Sequence, residues 1–176
     1  MKFTPLAVTG AFRVELEPKR DERGYFARWW CEDEFMAQGI HFEAVQANTG
    51  FSPLAGTLRG LHFQSAPEAE AKYVRCTRGA AFDVVVDLRP ESPTFRRWDG
   101  VRISEDDGAG VFVPTGCAHG YLTLEPDTEV HYLTSARFAP ALAGGIRYDD
   151  PLVGIRWPNA PILVSERDRT WPLLTP

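Results

Sequence analysis

KYVRC (Lys72–Cys76), a glycine turn at Arg78-Gly79, then AFDVVVDL (Ala81–Leu88): these neighbouring stretches are short, β-branched and separated by a turn signal. Strands punctuated in this way belong to an antiparallel sandwich or barrel. Phe82, Val84 and Val86 fall on one face of the second stretch, and Asp83, Val85 and Asp87 on the other. An acid inside such a strand faces solvent or lines a cavity. The pattern continues outward through Val101–Ile103, Val111–Val113, Tyr121–Leu124 and Glu129–Thr134, with turns at Asp107-Gly108 and Glu125-Pro126-Asp127. One short helix is predicted, capped by Asp33, running through Gln38 and closed by Gly39. The proline-rich tail from Gly144 reads as an extended arm over the barrel. The expected fold is all-β, a single domain over residues 1–176 with few short helices.

Composition narrows the function classes. The chain has 176 residues, 44% apolar and 24% charged, enough for a sizeable core without disulfides or a metal. Its net charge of −5 argues against nucleic acid and anionic membranes, while leaving room for a local grip on a phosphate ligand. Cys31, Cys76 and Cys117 match neither a disulfide framework nor a zinc spacing and read as reduced thiols. With no signal-peptide pattern and no long apolar run, the expected location is the cytoplasm.

Two histidines stand out. His62 lies in RGLHFQ (Arg59–Gln64) and His119 in PTGCAHG (Pro114–Gly120), each beside glycines that would let backbone approach a ligand. The plain alternative is two buried histidines with backbone partners, and His41 and His131 are assigned to it. PTGCAHG resembles the second signature of cupin barrels, but the first signature needs H-x-H, and this chain has His62-Phe63-Gln64. No metal is therefore expected. Arg59 and Lys72 are the cations set among glycines and strand residues; an ammonium partly removed from water there would stabilise a developing oxyanion. Arg20, Arg75 and Arg78 read as solvated surface charges. Tyr25, Phe26, Trp29 and Trp30 suit either stacking on a base or sugar or packing in a core.

Seven segments, in order, carry a family resemblance: DERGYF (Asp21–Phe26), VQANTGFS (Val45–Ser52), GTLRGLHFQ (Gly56–Gln64), AKYVRCTRGAAFDVVVDLRPESPTF (Ala71–Phe95), VPTGCAHGYLTL (Val113–Leu124), DDPLVGIRWP (Asp149–Pro158) and SERD (Ser165–Asp168). Together they resemble the nucleotide-sugar epimerases typified by dTDP-4-dehydrorhamnose 3,5-epimerase. That resemblance implies a cupin-like jelly-roll barrel, a homodimer with an N-terminal arm crossing between subunits, and no cofactor. The implied substrate is a nucleotide diphosphate sugar with a 4-keto-6-deoxy ring, dTDP-linked in the first place and CDP- or GDP-linked otherwise. The implied reaction inverts C3, C5 or both by removing and returning a proton. His62 is then the base, Asp168 the carboxylate that orients it, Lys72 the holder of the enolate oxygen and Tyr132 the acid on the opposite face. Asp83 and His119 line the sugar pocket. Arg59, Gln46, Asn48 and Arg23 contact the diphosphate or nearby sugar, Arg23 across the dimer, and Phe26 also falls in the substrate region.

Two positions depart from the family pattern. Arg28 stands where dTDP-linked relatives often carry a glutamate near the base, which reopens the choice of nucleotide. Phe138 stands where many relatives have tyrosine, and the missing hydroxyl points to action at C3 alone. Other readings of the same residues are a 3,4-ketoisomerase, a non-catalytic sugar-nucleotide binding module and a metal-dependent cupin oxygenase.

Overall fold

Alternate residues of KYVRC and AFDVVVDL go to different layers of the protein. The structure is a computed structural model that describes residues 1–175; Pro176, the end of the expected arm, lies outside the described residues. In chain order its elements are β1 (Lys2–Pro5), β2 (Phe12–Glu15), β3 (Lys19–Asp21), β4 (Gly24–Phe26), α1 (Glu32–Met36), β5 (Gln46–Ser52), β6 (Thr57–Gln64), β7 (Lys72–Arg78), β8 (Ala80–Asp87), β9 (Trp98–Ser104), β10 (Gly110–Val113), β11 (Cys117–Thr123), β12 (Thr128–Thr134), β13 (Ala143–Gly145), β14 (Leu163–Val164) and α2 (Glu166–Arg169). Six strands form one sheet in the order β1-β2-β10-β7-β12-β5. A second sheet runs β13-β6-β11-β8-β9, with β14 added in parallel beside β6. β3 and β4 make a separate hairpin.

The two sheets face each other, the jelly-roll arrangement of a cupin-like barrel. Val74 and Cys76 of β7, Val111 of β10 and Val130 of β12 meet Ala81 and Val85 of β8 in the layer between them. The opposite faces are covered as well. Tyr73, Phe112 and Leu133 pack outside the first sheet under Phe35 of α1 and Phe42. Val84 and Val86 pack outside the second sheet under Ile146, Val153 and Trp157 of the C-terminal segment. Both sheets are therefore apolar on both faces, which explains the near-continuous valines of AFDVVVDL.

Three expectations are corrected. Helix α1 begins at Glu32 after Cys31, and Asp33 lies inside its first turn rather than capping it; Cys31 makes no side-chain cap. Arg75 is not a solvated charge: its guanidinium lies over the Trp29 ring, 5.4 Å from the centroid, within the roughly 6 Å reach of a cation–π contact. The tail is not uniformly extended: after β13 and β14 it turns through the short helix α2. Ser165 caps α2 by accepting from the Asp168 N–H at 3.1 Å. Ser-x-x-Asp is a capping spacing that was readable in the sequence.

Candidate active site

β6 and β11 run antiparallel with His62 opposite His119, and the pairing shifts between His119 and Tyr121. The flanking glycines serve the strands rather than a ligand. A Cβ on Gly60 would lie 2.5 Å from the Gly120 Cα, and one on Gly120 would lie 2.7 Å from the Arg59 carbonyl oxygen. Gly60 also has φ +134, a region that side chains rarely adopt. Gly116 takes φ +78 in its turn and packs against the Arg89 side chain. The expectation that these glycines admit a ligand is replaced by close strand–strand approach, which brings the two histidines together.

Each histidine is held by a buried carboxylate. His62 Nε2 lies 2.6 Å from Asp168 Oδ1, with the His62 side chain 41% exposed and that of Asp168 6%. The carboxylate accepts further hydrogen bonds from the Gly60 N–H at 3.2 Å and the Trp171 indole N–H at 3.3 Å. Burial opposes ionisation of Asp168, but its bond to His62, with that ring's charge, and the Gly60 and Trp171 donors outweigh it and hold the carboxyl below the usual range. An ionised Asp168 accepts a hydrogen bond from His62 Nε2–H, which leaves Nδ1 as the nitrogen with the lone pair. His119 Nε2 lies 2.8 Å from Asp83 Oδ2, and both side chains are buried.

His62, Lys72, His119, Tyr132, Asp168 and Arg59 line one cavity of about 510 Å³. An adjoining cavity of about 340 Å³ shares His62, Lys72 and Tyr132 with it and adds Gln46, Asn48, Phe138 and Glu70. Lys72 Nζ lies 3.0 Å from Glu70 Oε1, both side chains nearly buried. The Tyr132 phenol is raised above its ordinary value, chiefly by burial and then by the Glu70 charge, while Arg59 pulls the other way. Arg59 is steadied by Ser52 Oγ at 3.2 Å and the Phe51 carbonyl at 2.9 Å, and pairs with no carboxylate among the described residues. One group in this cavity, a base held by a carboxylate, thus faces the same space as an ammonium and a phenol.

Four expected substrate residues lie elsewhere: Asp83 is sealed behind His119 and lines neither cavity, and the other three are outside the barrel. Arg23 and Phe26 sit on the exposed β3–β4 hairpin, with Arg23 bound to Asp21 and Phe26 76% exposed. Arg28 is tied to Glu34 at 3.3 Å and lines a small separate hollow with Phe26, so it is no free cation. Trp29 and Trp30 are partly buried and pack against the core cluster around Phe35. Gln64, where a metal cupin has its second histidine, instead holds the loop that carries Phe138, through the Arg137 carbonyl at 3.0 Å and the Ala139 N–H at 2.8 Å. Among the described residues no group of three His, Cys, Asp or Glu side chains is placed to hold a metal ion.

Sequence reasoning missed Glu70, Tyr121, Arg167 and Trp171. Arg167 lines both cavities and stacks over Trp171, 4.9 Å from its centroid. Glu70 alone had a sequence signal: two residues before Lys72 in an extended segment, it shares that residue's side.

Comparison with known proteins gives a consistent result. The family profile described as dTDP-4-dehydrorhamnose 3,5-epimerase matches residues 5–176. The chain is 41% identical over 175 residues to a dTDP-4-dehydrorhamnose 3,5-epimerase of Sinorhizobium fredii, covering 99% of this chain and 90% of that one. It is 38% identical to a dTDP-4-dehydrorhamnose 3-epimerase of Streptomyces niveus, covering 96% and 82%. Among solved structures, it is similar to a Bacillus anthracis dTDP-4-dehydrorhamnose 3,5-epimerase with TDP and PPi bound, at TM-score 0.94 and 37% identity, over 98% of this chain and 99% of that one. It is also similar to a 3′-monoepimerase of Streptomyces bikiniensis in complex with dTDP-quinovose, at TM-score 0.88 and 37% identity, over 96% and 86%.

Proposed function

The chain belongs to the dTDP-4-dehydrorhamnose 3,5-epimerase family, and from that premise we propose how its cavity epimerises a nucleotide-linked 4-keto-6-deoxy sugar. The observation that carries the reading is the His62–Asp168 pair facing the same cavity as Lys72 and Tyr132. A C–H bond beside a ketone releases its proton only when a base is held against it and the resulting oxyanion is stabilised. His62 Nδ1 takes the proton from the carbon next to the ketone, and the C–H electrons form the enolate, whose charge rests on the C4 oxygen. The Lys72 ammonium lies against that oxygen with the N–H groups it does not give to Glu70. Asp168 stays ionised and stabilises the imidazolium. The Tyr132 O–H then protonates the same carbon from the other face, and proton exchange returns both side chains to their starting forms. The sugar leaves with one centre inverted and nothing oxidised or reduced.

The nucleotide in this reading is dTDP, the nucleotide part of the dTDP-quinovose bound to the similar 3′-monoepimerase. Arg28 does not oppose it, because Glu34 offsets its charge. Arg59 and Arg167, without carboxylate partners among the described residues, suit the diphosphate. Relatives of comparable identity include both 3,5- and 3-epimerases. Phe138 beside Tyr132 in the second cavity favours inversion at C3 alone, since it brings no hydroxyl to the ring. The reading includes a homodimer, supported by Arg23 and Phe26 standing on an exposed hairpin away from their own cavity.

Deuterium uptake from heavy water into dTDP-4-keto-6-deoxyglucose, followed by NMR at C3 and C5, tests this directly. The expected result is exchange at C3, lost by a factor of about 10²–10⁴ in His62→Ala. Rapid exchange at C5 as well would overturn the single-centre reading, and no exchange at either carbon would overturn the epimerase assignment for this substrate.

A further inference from the structure

Tyr121 lies on the floor of the larger cavity, two residues beyond His119 on β11 and opposite Arg59 of β6. The residue is only 6% exposed, and among the described residues its hydroxyl makes no hydrogen bond. Burial pushes the phenol up to about 12, so at neutral pH it is an uncharged O–H donor. Its oxygen is not among the sealed polar atoms that lack a partner, so it opens onto the cavity and is placed to meet a ligand there. The room around this oxygen comes from a neighbouring strand. Gly50 of β5 has no positive φ to require glycine, yet a Cβ there would lie 2.8 Å from the Tyr121 hydroxyl oxygen. Thus one buried donor, a gap beside it and the reacting groups His62 and Lys72 share a single space.

We infer that the Tyr121 hydroxyl is a substrate-binding group that donates a hydrogen bond to an oxygen of the sugar, in the space that Gly50 leaves open. The inference rests on the sugar-nucleotide reading above and adds a contact at its sugar end. A site with a buried donor favours ligands that satisfy it and rejects those that cannot. Because the phenol is separate from the base and its carboxylate, it contributes to binding rather than to proton transfer.

Calorimetric titration with dTDP-glucose, which has a hydroxyl in place of the ketone and is not turned over, and with dTDP separates the sugar contact from the nucleotide contact. Tyr121→Phe is expected to bind dTDP-glucose about 10-fold more weakly and dTDP within about twofold of the original protein. Gly50→Ala keeps the phenol but crowds its hydroxyl, so it gives the same selective loss, and the double variant is no weaker than Tyr121→Phe alone. Unchanged affinity for dTDP-glucose in Tyr121→Phe, or an equal loss for both ligands, overturns the inference; so does a Gly50→Ala loss that multiplies with it. The exchange assay on the unaltered protein is independent: failure there removes the reaction, whereas failure of the titration removes only Tyr121.

Discussion

Glu70 sets the charge around Lys72 and Tyr132, two of the groups proposed to react. Its carboxylate holds the Lys72 ammonium at 3.0 Å, and it raises the Tyr132 phenol after the larger effect of burial. The other charged or titratable groups facing this space are His62 and Arg59 from β6, His119 and Tyr121 from β11, and Arg167 and Asp168 from α2. Glu70→Gln keeps an acceptor near Lys72 but removes the negative charge, so Tyr132 gives up its proton at lower pH. Since the role proposed for Tyr132 needs its protonated form, the alkaline limb of the pH–rate profile is expected to move to lower pH in Glu70→Gln. A limb that stays in place would show that Glu70 supports the fold of the loop without tuning the acid. At this scale the sequence was informative for His62, which carried glycines and a motif, and silent on Tyr121, whose role depends on Gly50 in a different strand.

β8 ends in a locked loop that ties the site to the N-terminal segment. Asp87 is fully buried and accepts from Arg89 Nε at 2.8 Å and from the hydroxyls of Ser92 and Thr94. Arg89 continues to the Thr9 carbonyl at 2.7 Å and packs against Gly116, in the turn that leads into β11. Burial raises the Asp87 carboxyl, but the donors from Arg89, Ser92 and Thr94 outweigh it and hold the group well below the carboxylate range. A carboxyl depressed on folding contributes stability in full above its unfolded value, about 3.9, and loses it as pH falls through the folded value. Asp87→Asn leaves these donors poorly matched and is expected to cost about 3 kcal/mol at neutral pH, or roughly 6–12 °C in Tm for a chain of this size. Calorimetry at neutral pH and near pH 3 should also show a smaller acid-induced drop in the variant than in the original protein. An equal drop in both would assign the acid sensitivity to other carboxylates.

The whole molecule places the groups proposed to meet the sugar inside the barrel and its aromatic hairpin outside. Tyr25 and Phe26 are 57% and 76% exposed, while Arg23 bonds only to Asp21 of the same hairpin. If the hairpin completes the site of a second copy, defects in Arg23 and His62 fall on different chains. Mixing His62→Ala with Arg23→Ala, each nearly inactive alone, is then expected to restore about a quarter of the original exchange rate, because half of a random pairing is mixed and each mixed pair holds one intact site. No recovery after unfolding and refolding the two together would place Arg23 in its own chain's site or outside any site.

Local chemistry in the chain determined the strands of KYVRC and AFDVVVDL, the turns between them, and the setting of His62 and Lys72 among glycines and strand residues, because β periodicity and motif composition are properties of neighbouring residues. Tyr132 and Asp168, by contrast, were legible only through the family resemblance. Tertiary structure decided how those residues meet. Asp168 reaches His62 across 106 positions of sequence because α2 folds back beside β6. The glycines at 60 and 120 brought two backbones together, a contact that neither segment displays alone. Arg75 found an indole and Tyr121 a gap left by Gly50, and each partner lies on another element. Pairings between distant segments are fixed by sheet register and packing, which no short stretch of sequence contains.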